Sequence, residues 1–295
     1  MNIANKYLKL IKKNNKFKYF YEKNNSYSGK KVLNCIIQGT KLFCNKNRNY
    51  LEIGVFKGHT IINNAINNTK IKCFGVDNFS LFNTKNKNYS HIKNNLKIFN
   101  IKNVKIIKKD FEAATKLIKN KIGVLFIDAA HDYRSQLITL IKYKNYLSEK
   151  SLIIIDDCNY YHVRKATQDF LETNKEFKLI FQKYTKRHIA NEQFNKNTHL
   201  NGYWNGINIL YKDNKNIIDK RVKMPKNENL IKNIFFQSHE VFRHFYGYNA
   251  YEILDLIYEY KNLDMPKNIF LKKIRMLTVP KKLKKIIKYR SQNIF

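Results

Sequence analysis

The chain is poor in several kinds of residue, and each shortage removes a class of protein. No stretch approaches the roughly 18 uninterrupted apolar residues that a membrane-spanning helix needs. The start, Met1-Asn-Ile-Ala-Asn-Lys-Tyr7, has no signal-peptide hydrophobic region, so a cytoplasmic protein is expected. Cysteine occurs at 35, 44, 73 and 158, without the paired spacing of a metal site, and Cys73 lies inside an apolar run; the thiols read as reduced and structural. Proline occurs only at 225, 266 and 280, so nothing before Pro225 is broken by it. Acidic residues are scarce, 22 Asp and Glu against 57 Lys and Arg, a formal charge of +35. Such a charge attracts polyanions without specifying a site. Lysine is spread along the whole chain with abundant Asn and Ile, the mixture that an AT-rich genome produces without selection for binding. No aromatic-and-glycine signature of an RNA-binding sheet accompanies it.

What is present suffices for a sizeable core: 43% hydrophobic residues in a chain of 295 make one large domain, or one domain with appendages. Ile3, Tyr7, Leu10, Ile11, Phe17 and Phe20 fall near helical spacing. After the break Asn25-Ser-Tyr-Ser-Gly29 a second set follows at Val32, Leu33, Ile36, Ile37 and Phe43, which predicts two helices in an N-terminal segment 1–47. From Arg48, strands near 50–53, 72–76, 104–108, 122–128 and 151–156 alternate with helices near 59–68, 89–99, 111–119, 133–147 and 162–173. That is the pattern of a Rossmann-like α/β fold, a mostly parallel sheet with helices on both faces. Phe177 to Phe181 and Gly206 to Tyr211 supply two more strands, which makes seven. The polar segment between them, Gln182 to Asn205, carries His188, His199, Tyr203 and Trp204 and has the length of a substrate lid or a surface loop. The domain itself is expected over 48–212. Beyond it, in 213–295, apolar positions from Leu230 to Ile257 predict helices that form a cap or a homodimer surface, and the tail Lys281 to Arg290 predicts a solvated basic helix.

One stretch organises the rest. Tyr50-Leu-Glu-Ile-Gly-Val-Phe-Lys-Gly-His-Thr60 is a buried strand, a tight turn at Gly54 to Gly58 and the start of a helix, the crevice where open α/β sheets bind nucleotides. The spacing is not the Gly-x-Gly-x-x-Gly that clears room for a pyrophosphate, since Phe56 stands at the close-approach glycine. A Walker loop fails too: Ser28-Gly29-Lys30-Lys31 has Asn24 where the first glycine belongs and no hydroxyl residue after the lysine. A cofactor with an adenosine and no phosphate fits better, with Asp77, after the apolar run 71–76, accepting from ribose hydroxyls. S-adenosylmethionine is such a cofactor.

Glu52-x-Gly54-x-x-x-Gly58, Asp77, Lys109-Asp110-Phe111, Ile127-Asp128-Ala-Ala-His131 and Ile155-Asp156-Asp157 together resemble the ordered motifs of class I S-adenosylmethionine-dependent methyltransferases, over roughly Arg48 to Tyr211. The resemblance implies cofactor contacts from Glu52, Gly54, Phe56, Gly58, Thr60, Asp77, Asp110, Phe111 and Asp128. At the carboxyl edge of such a sheet Asp128, Asp156 and Asp157 converge. Three carboxylates in one place call for compensation, and a hard divalent cation such as Mg²⁺ is the simplest. Helix capping accounts for Asp156 or Asp157 alone and less well for all three. The same acids are similar to the metal ligands of catechol O-methyltransferase-like and related sugar O-methyltransferases. The catechol enzymes carry a lysine where this chain has His131, which makes His131 the candidate general base, beside Asp128, and puts a phenolic acceptor in doubt. Asp132 reads as the cap of the following helix; His162 and Arg164 follow strand five and either reach substrate or are solvated.

With no proline in the core, the proline-dependent motifs of amino-methyltransferases of bases and of cytosine C5 enzymes are missing. Oxygen is then the expected methyl acceptor, on a small molecule or a saccharide rather than on nucleic acid. Two alternatives stay open: an RNA methyltransferase that uses the basic surface, and a non-catalytic adenosyl-binding or scaffold protein that keeps the fold.

Overall fold

Apolar residues run almost without interruption through the central strand segments, so both faces of those strands need covering. A computed structural model describes residues 2–13, 16–19, 28–80, 87–184, 201–215, 218, 257, 260 and 265–271. Its strands are β1 (Arg48–Ile53), β2 (Cys73–Val76), β3 (Val104–Ile107), β4 (Lys121–Ile127), β5 (Leu147–Asp156), β6 (Phe177–Lys183) and β7 (Ile207–Lys212). They form one seven-stranded sheet in the order β3-β2-β1-β4-β5-β7-β6. β1 to β5 are mutually parallel, and β7 runs antiparallel to both β5 and β6.

The helices are α1 (Ile3–Ile11), α2 (Lys30–Phe43), α3 (His59–Asn67), α4 (Asn88–Ile98), α5 (Phe111–Ala114), α6 (Tyr133–Tyr143) and α7 (Tyr161–Thr173). Strand order moves outward from β1 through β2 to β3 and, in the opposite direction, from β4 to β5. Right-handed crossovers therefore put α3 and α6 on opposite faces of the sheet. On one face Tyr50, Val124, Phe126, Leu152 and Ile154 pack with Tyr7 of α1, Val32, Ile36 and Phe43 of α2, and Ile61, Ile62 and Ala65 of α3. Each large side chain of this group contributes roughly 1.5–3 kcal/mol by leaving water. Polar clamps fix the two N-terminal helices: the Tyr7 hydroxyl donates to the Cys35 carbonyl at 3.0 Å, and the Asn34 amide donates to the Ile11 carbonyl at 3.1 Å.

Four elements end earlier or start sooner than their apolar spacing predicts. α1 stops at Ile11, short of Phe17, because the intervening Lys12-Lys13-Asn14-Asn15-Lys16 offers nothing to bury. α5 ends at Ala114 and tightens into a 3-10 turn, where the Thr115 hydroxyl donates to the Glu112 carbonyl at 2.8 Å. α6 ends at Tyr143, and β5 starts already at Leu147, which pairs with Ile122 across a shift of register. The chain divides into two compact units, Met1–Asn233 and Ile234–Phe295. In the second, a helical segment over 267–271 follows Pro266, and Tyr260 stacks on Phe270 at 4.5 Å between ring centroids. The helices expected from Leu230 onward, apart from Ile257, and the basic tail lie outside the described residues, as do His188 and His199. Among the described residues no helix is long and apolar enough to cross a membrane.

Candidate active site

The strand order reverses between β1 and β4, and their carboxyl ends bound a crevice of the kind that binds ligands in open α/β sheets. Gly54 leaves β1 at φ 87°, where a Cβ would lie 1.8 Å from the Asp128 carbonyl oxygen. No side chain can be accommodated there, so the turn depends on glycine. Gly58, at φ 88°, caps α3, and the intervening Phe56 is held at φ 50°, an uncommon conformation for an aromatic residue. Asp77 supplies the restraint. Its Oδ2 accepts from the Val55 and Phe56 amides at 2.9 and 2.8 Å, and its Oδ1 accepts from the Phe79 amide at 2.6 Å. Three of the roughly four acceptor positions of this carboxylate are thus spent on the protein's own loops.

Glu52 lies beneath the turn, fully buried. The Tyr50 hydroxyl donates to its Oε2 and the Thr60 hydroxyl to its Oε1, both at 2.6 Å, which ties β1 to the first turn of α3. Burial pushes its pKa up to about 8, against the opposing effect of those two hydrogen bonds, with Asp128 and Asp77 adding to the rise. After β3, Asp110 caps α5 by accepting from the Glu112 amide at 2.9 Å, and buried Phe111 offers its carbonyl to the Tyr143 hydroxyl at 2.7 Å.

At the ends of β4 and β5, Asp128, His131 and Asp157 come together. His131 Nε2 is 2.7 Å from Asp157 Oδ2 and 3.6 Å from Asp128 Oδ1. Ligand atoms of the three residues all lie within 4.8 Å of one another. The Tyr160 ring lies 5.0 Å from the imidazole between centroids. Burial opposes a charge on His131, but Asp157 and then Asp128 outweigh it and lift its pKa to about 10. Asp157 takes φ 55°, strained for a residue other than glycine, at the point where the chain leaves β5.

Asp156 is not a member of this cluster. It is buried, its Oδ1 accepts from the Asp157 amide at 2.9 Å, and its Oδ2 faces the Ser28 hydroxyl at 3.4 Å. Burial, and then Asp128 and Asp157, hold its pKa well above the carboxylate range. Alternation explains the difference, since adjacent residues at a strand end point to opposite sides. Asp132 caps α6, accepting from the Ser135 amide and hydroxyl at 2.7 Å each. Arg164 is buried and donates to the Cys158 and Asn159 carbonyls, so it secures the loop after β5. The His162 ring meets Tyr161 edge-on. Tyr160 is the residue that sequence reasoning passed over; its only signal was an aromatic three positions after Asp157.

Residues 51–158 match the family profile of the methyltransferase domain. No curated protein matches. Among solved structures, a Streptococcus mutans protein described as a candidate methyltransferase, in complex with SAH, aligns at 13% identity and a TM-score of 0.44, over 59% of this chain and 93% of its own. A candidate caffeoyl-CoA O-methyltransferase from Staphylococcus aureus aligns at 19% identity and a TM-score of 0.44, over 61% and 82%. A candidate rRNA-methylase from Clostridium thermocellum aligns at 14% identity and a TM-score of 0.43, over 59% and 91%. Residues 51–158, which hold the glycine turn at the β1/β4 switch point, thus match a methyltransferase domain, and the order of the sheet places that turn at its ligand-binding crevice.

Proposed function

We propose that this methyltransferase acts on oxygen, transferring a methyl group from S-adenosylmethionine to a hydroxyl of a small molecule or saccharide. Residues 48–212 form the catalytic domain, which 1–47 precede and 213–295 follow. The observation that carries the proposal is the imidazole of His131 set between two carboxylates at the carboxyl edge of β4 and β5. The turn Gly54-Val-Phe56-Lys-Gly58, with Asp77, Asp128, Asp110 and Phe111, would hold the cofactor. Glu52 and Thr60 act from below, by bracing the turn through their mutual hydrogen bond.

In the reaction the acceptor oxygen forms a bond to the methyl carbon as the sulfur–methyl bond breaks, and the electron pair of that bond returns to sulfur. The protein's part is to align the two and take up the hydroxyl proton. His131 is the candidate acceptor of that proton, with Asp157 holding the ring through Nε2 and Tyr160 packed against it. Since the two carboxylates keep His131 protonated to about pH 10, it serves as a base once their charge is offset.

Asp128 and Asp157 offer carboxylate oxygens that would suit a divalent cation such as Mg²⁺ or Mn²⁺, with His131 beside them kept as the base rather than as a ligand. When bound, the cation supplies charge that lowers the pKa of the acceptor hydroxyl and offsets the two carboxylates.

The test is a set of variants read by calorimetry and methyl transfer to a panel of diols and methyl glycosides. His131→Ala is expected to lower turnover by roughly 10²–10⁴-fold with cofactor affinity unchanged. Asp128→Asn and Asp157→Asn are expected to weaken binding of Mn²⁺ and Mg²⁺, and Asp156→Asn to leave it as it is. Full turnover by the His131 variant would remove the base from this cluster; unchanged metal affinity in both Asp128 and Asp157 variants would remove the metal.

A further inference from the structure

The strands have a second edge. At their amino ends, on the order of 20 Å from the acid cluster, a cavity of about 580 Å³ is lined by Lys121 at the start of β4, Lys144 after α6 and Lys212 at the end of β7. Glu149 and Glu176 lie on the same wall. The three ammonium groups are tethered by neutral oxygens: Lys121 Nζ donates to the Asn145 carbonyl at 3.3 Å, Lys212 Nζ to the Leu147 carbonyl at 3.3 Å, and Lys144 Nζ to the Asn174 side-chain oxygen at 2.6 Å. Such bonds fix the positions of the charges without neutralising them. None of the three is within ion-pair distance of a carboxylate among the described residues, although elsewhere Lys142 and Lys165 pair with Glu112 and Asp169. Burial and the neighbouring Lys121 and Lys144 depress the pKa of Lys212, against the opposing pull of Glu176 and Glu149.

We infer that this cavity is a binding site for a small phosphate-bearing anion, separate from the methyl-transfer site. An ammonium group has three N–H donors and each of these lysines spends one on its tether, so donors remain for the oxygens of a phosphate or pyrophosphate group. The volume is that of a small-molecule site. Glu149 and Glu176 stand close enough to act on Lys212, and they would repel the further charges of a nucleic-acid backbone more than a compact dianion.

Amine acylation of the full chain, followed lysine by lysine by mass spectrometry, tests the site with inorganic phosphate and pyrophosphate as probes. Lys121, Lys144 and Lys212 are expected to be protected together and saturably, at probe concentrations that leave Lys6 and Lys97 labelled as before. Lys144→Gln and Lys212→Gln are each expected to raise the half-protecting concentration at the remaining two lysines by roughly tenfold, the effect of one charge-assisted hydrogen bond. Lys97→Gln leaves it unchanged. The two cavity variants lie on different elements, so circular dichroism identifies one that retains the fold for the measurement. The inference is overturned by absence of protection, by equal protection of all surface lysines, by wild-type protection in a folded cavity variant, or by an oligouridylate that protects more tightly than pyrophosphate and beyond the cavity.

Discussion

Glu52 sits fully buried, in an environment unlike the one its type suggests. A carboxyl group held at a pKa of about 8 in the folded chain, and near its ordinary value when unfolded, takes up a proton on folding between those two limits. The folded state then binds more protons than the unfolded one, so stability falls as pH rises from about 4.5 to about 8 and levels off above, by up to roughly 1.4 kcal/mol per pH unit. Glu52→Gln should flatten that slope and leave the chain more stable than wild type at pH 8; urea melts of both proteins across the range check it, and an equal slope in the variant would refute the assignment. Gly54 makes a different demand. With a Cβ 1.8 Å from the Asp128 carbonyl, Gly54→Ala displaces the end of β4 before it touches any ligand, and we expect a loss of more than about 3 kcal/mol of stability in thermal melts. The glycine and its turn were legible in the sequence because their spacing is local. The partners of Asp77 and Asp156 were not. Whether a strand-end carboxylate faces a ligand, as Asp77 was expected to, or folds back on the amides of its own loops depends on backbone that no spacing specifies.

At the level of elements, the seven strands and the helices from His59 to Thr173 follow the periodicity of their apolar residues, because a strand buried on both faces and an amphipathic helix each leave a distinct pattern. Boundaries set by tertiary pairing were not legible: the early start of β5 exists because Leu147 meets Ile122, a contact between separate elements. The loop from β5 to α7 shows how one element serves another. Arg164, on the first turn of α7, reaches back to the Cys158 and Asn159 carbonyls and so holds the segment that carries Asp157 in its positive-φ conformation. Arg164→Ala should remove about 2–4 kcal/mol of stability, since two buried carbonyls lose their donor. Arg164→Lys should restore only part of it, because an ammonium does not present the planar fork of a guanidinium. If Asp157 is held through this loop, both variants should also lower methyl-transfer turnover more than cofactor affinity. Turnover at the wild-type level in a variant that has lost stability would show that Asp157 keeps its place without Arg164.

The whole molecule carries +35, and its consequences are those of a field rather than of a site. Like charges spread over one folded chain repel one another, and the repulsion is relieved when the chain expands. The ion pairs that Glu112 makes with Arg134 and Lys142 are partly exposed and offset little of it. Raising salt from about 0.02 to about 0.2 M shortens the screening length severalfold and should therefore raise the melting temperature of this protein. The same change should weaken its association with RNA steeply and without regard to sequence, since that association rests on displaced counterions. A saccharide acceptor, which carries no charge, should bind almost equally at both salt concentrations. Calorimetric melts, filter binding of unrelated RNA sequences and methyl-transfer assays across one salt series separate the two classes of acceptor. An RNA that is bound tightly and by sequence at the higher salt, and methylated there, would transfer the acceptor assignment from small hydroxylated molecules to RNA, and would make the basic surface part of the site instead of a by-product of composition.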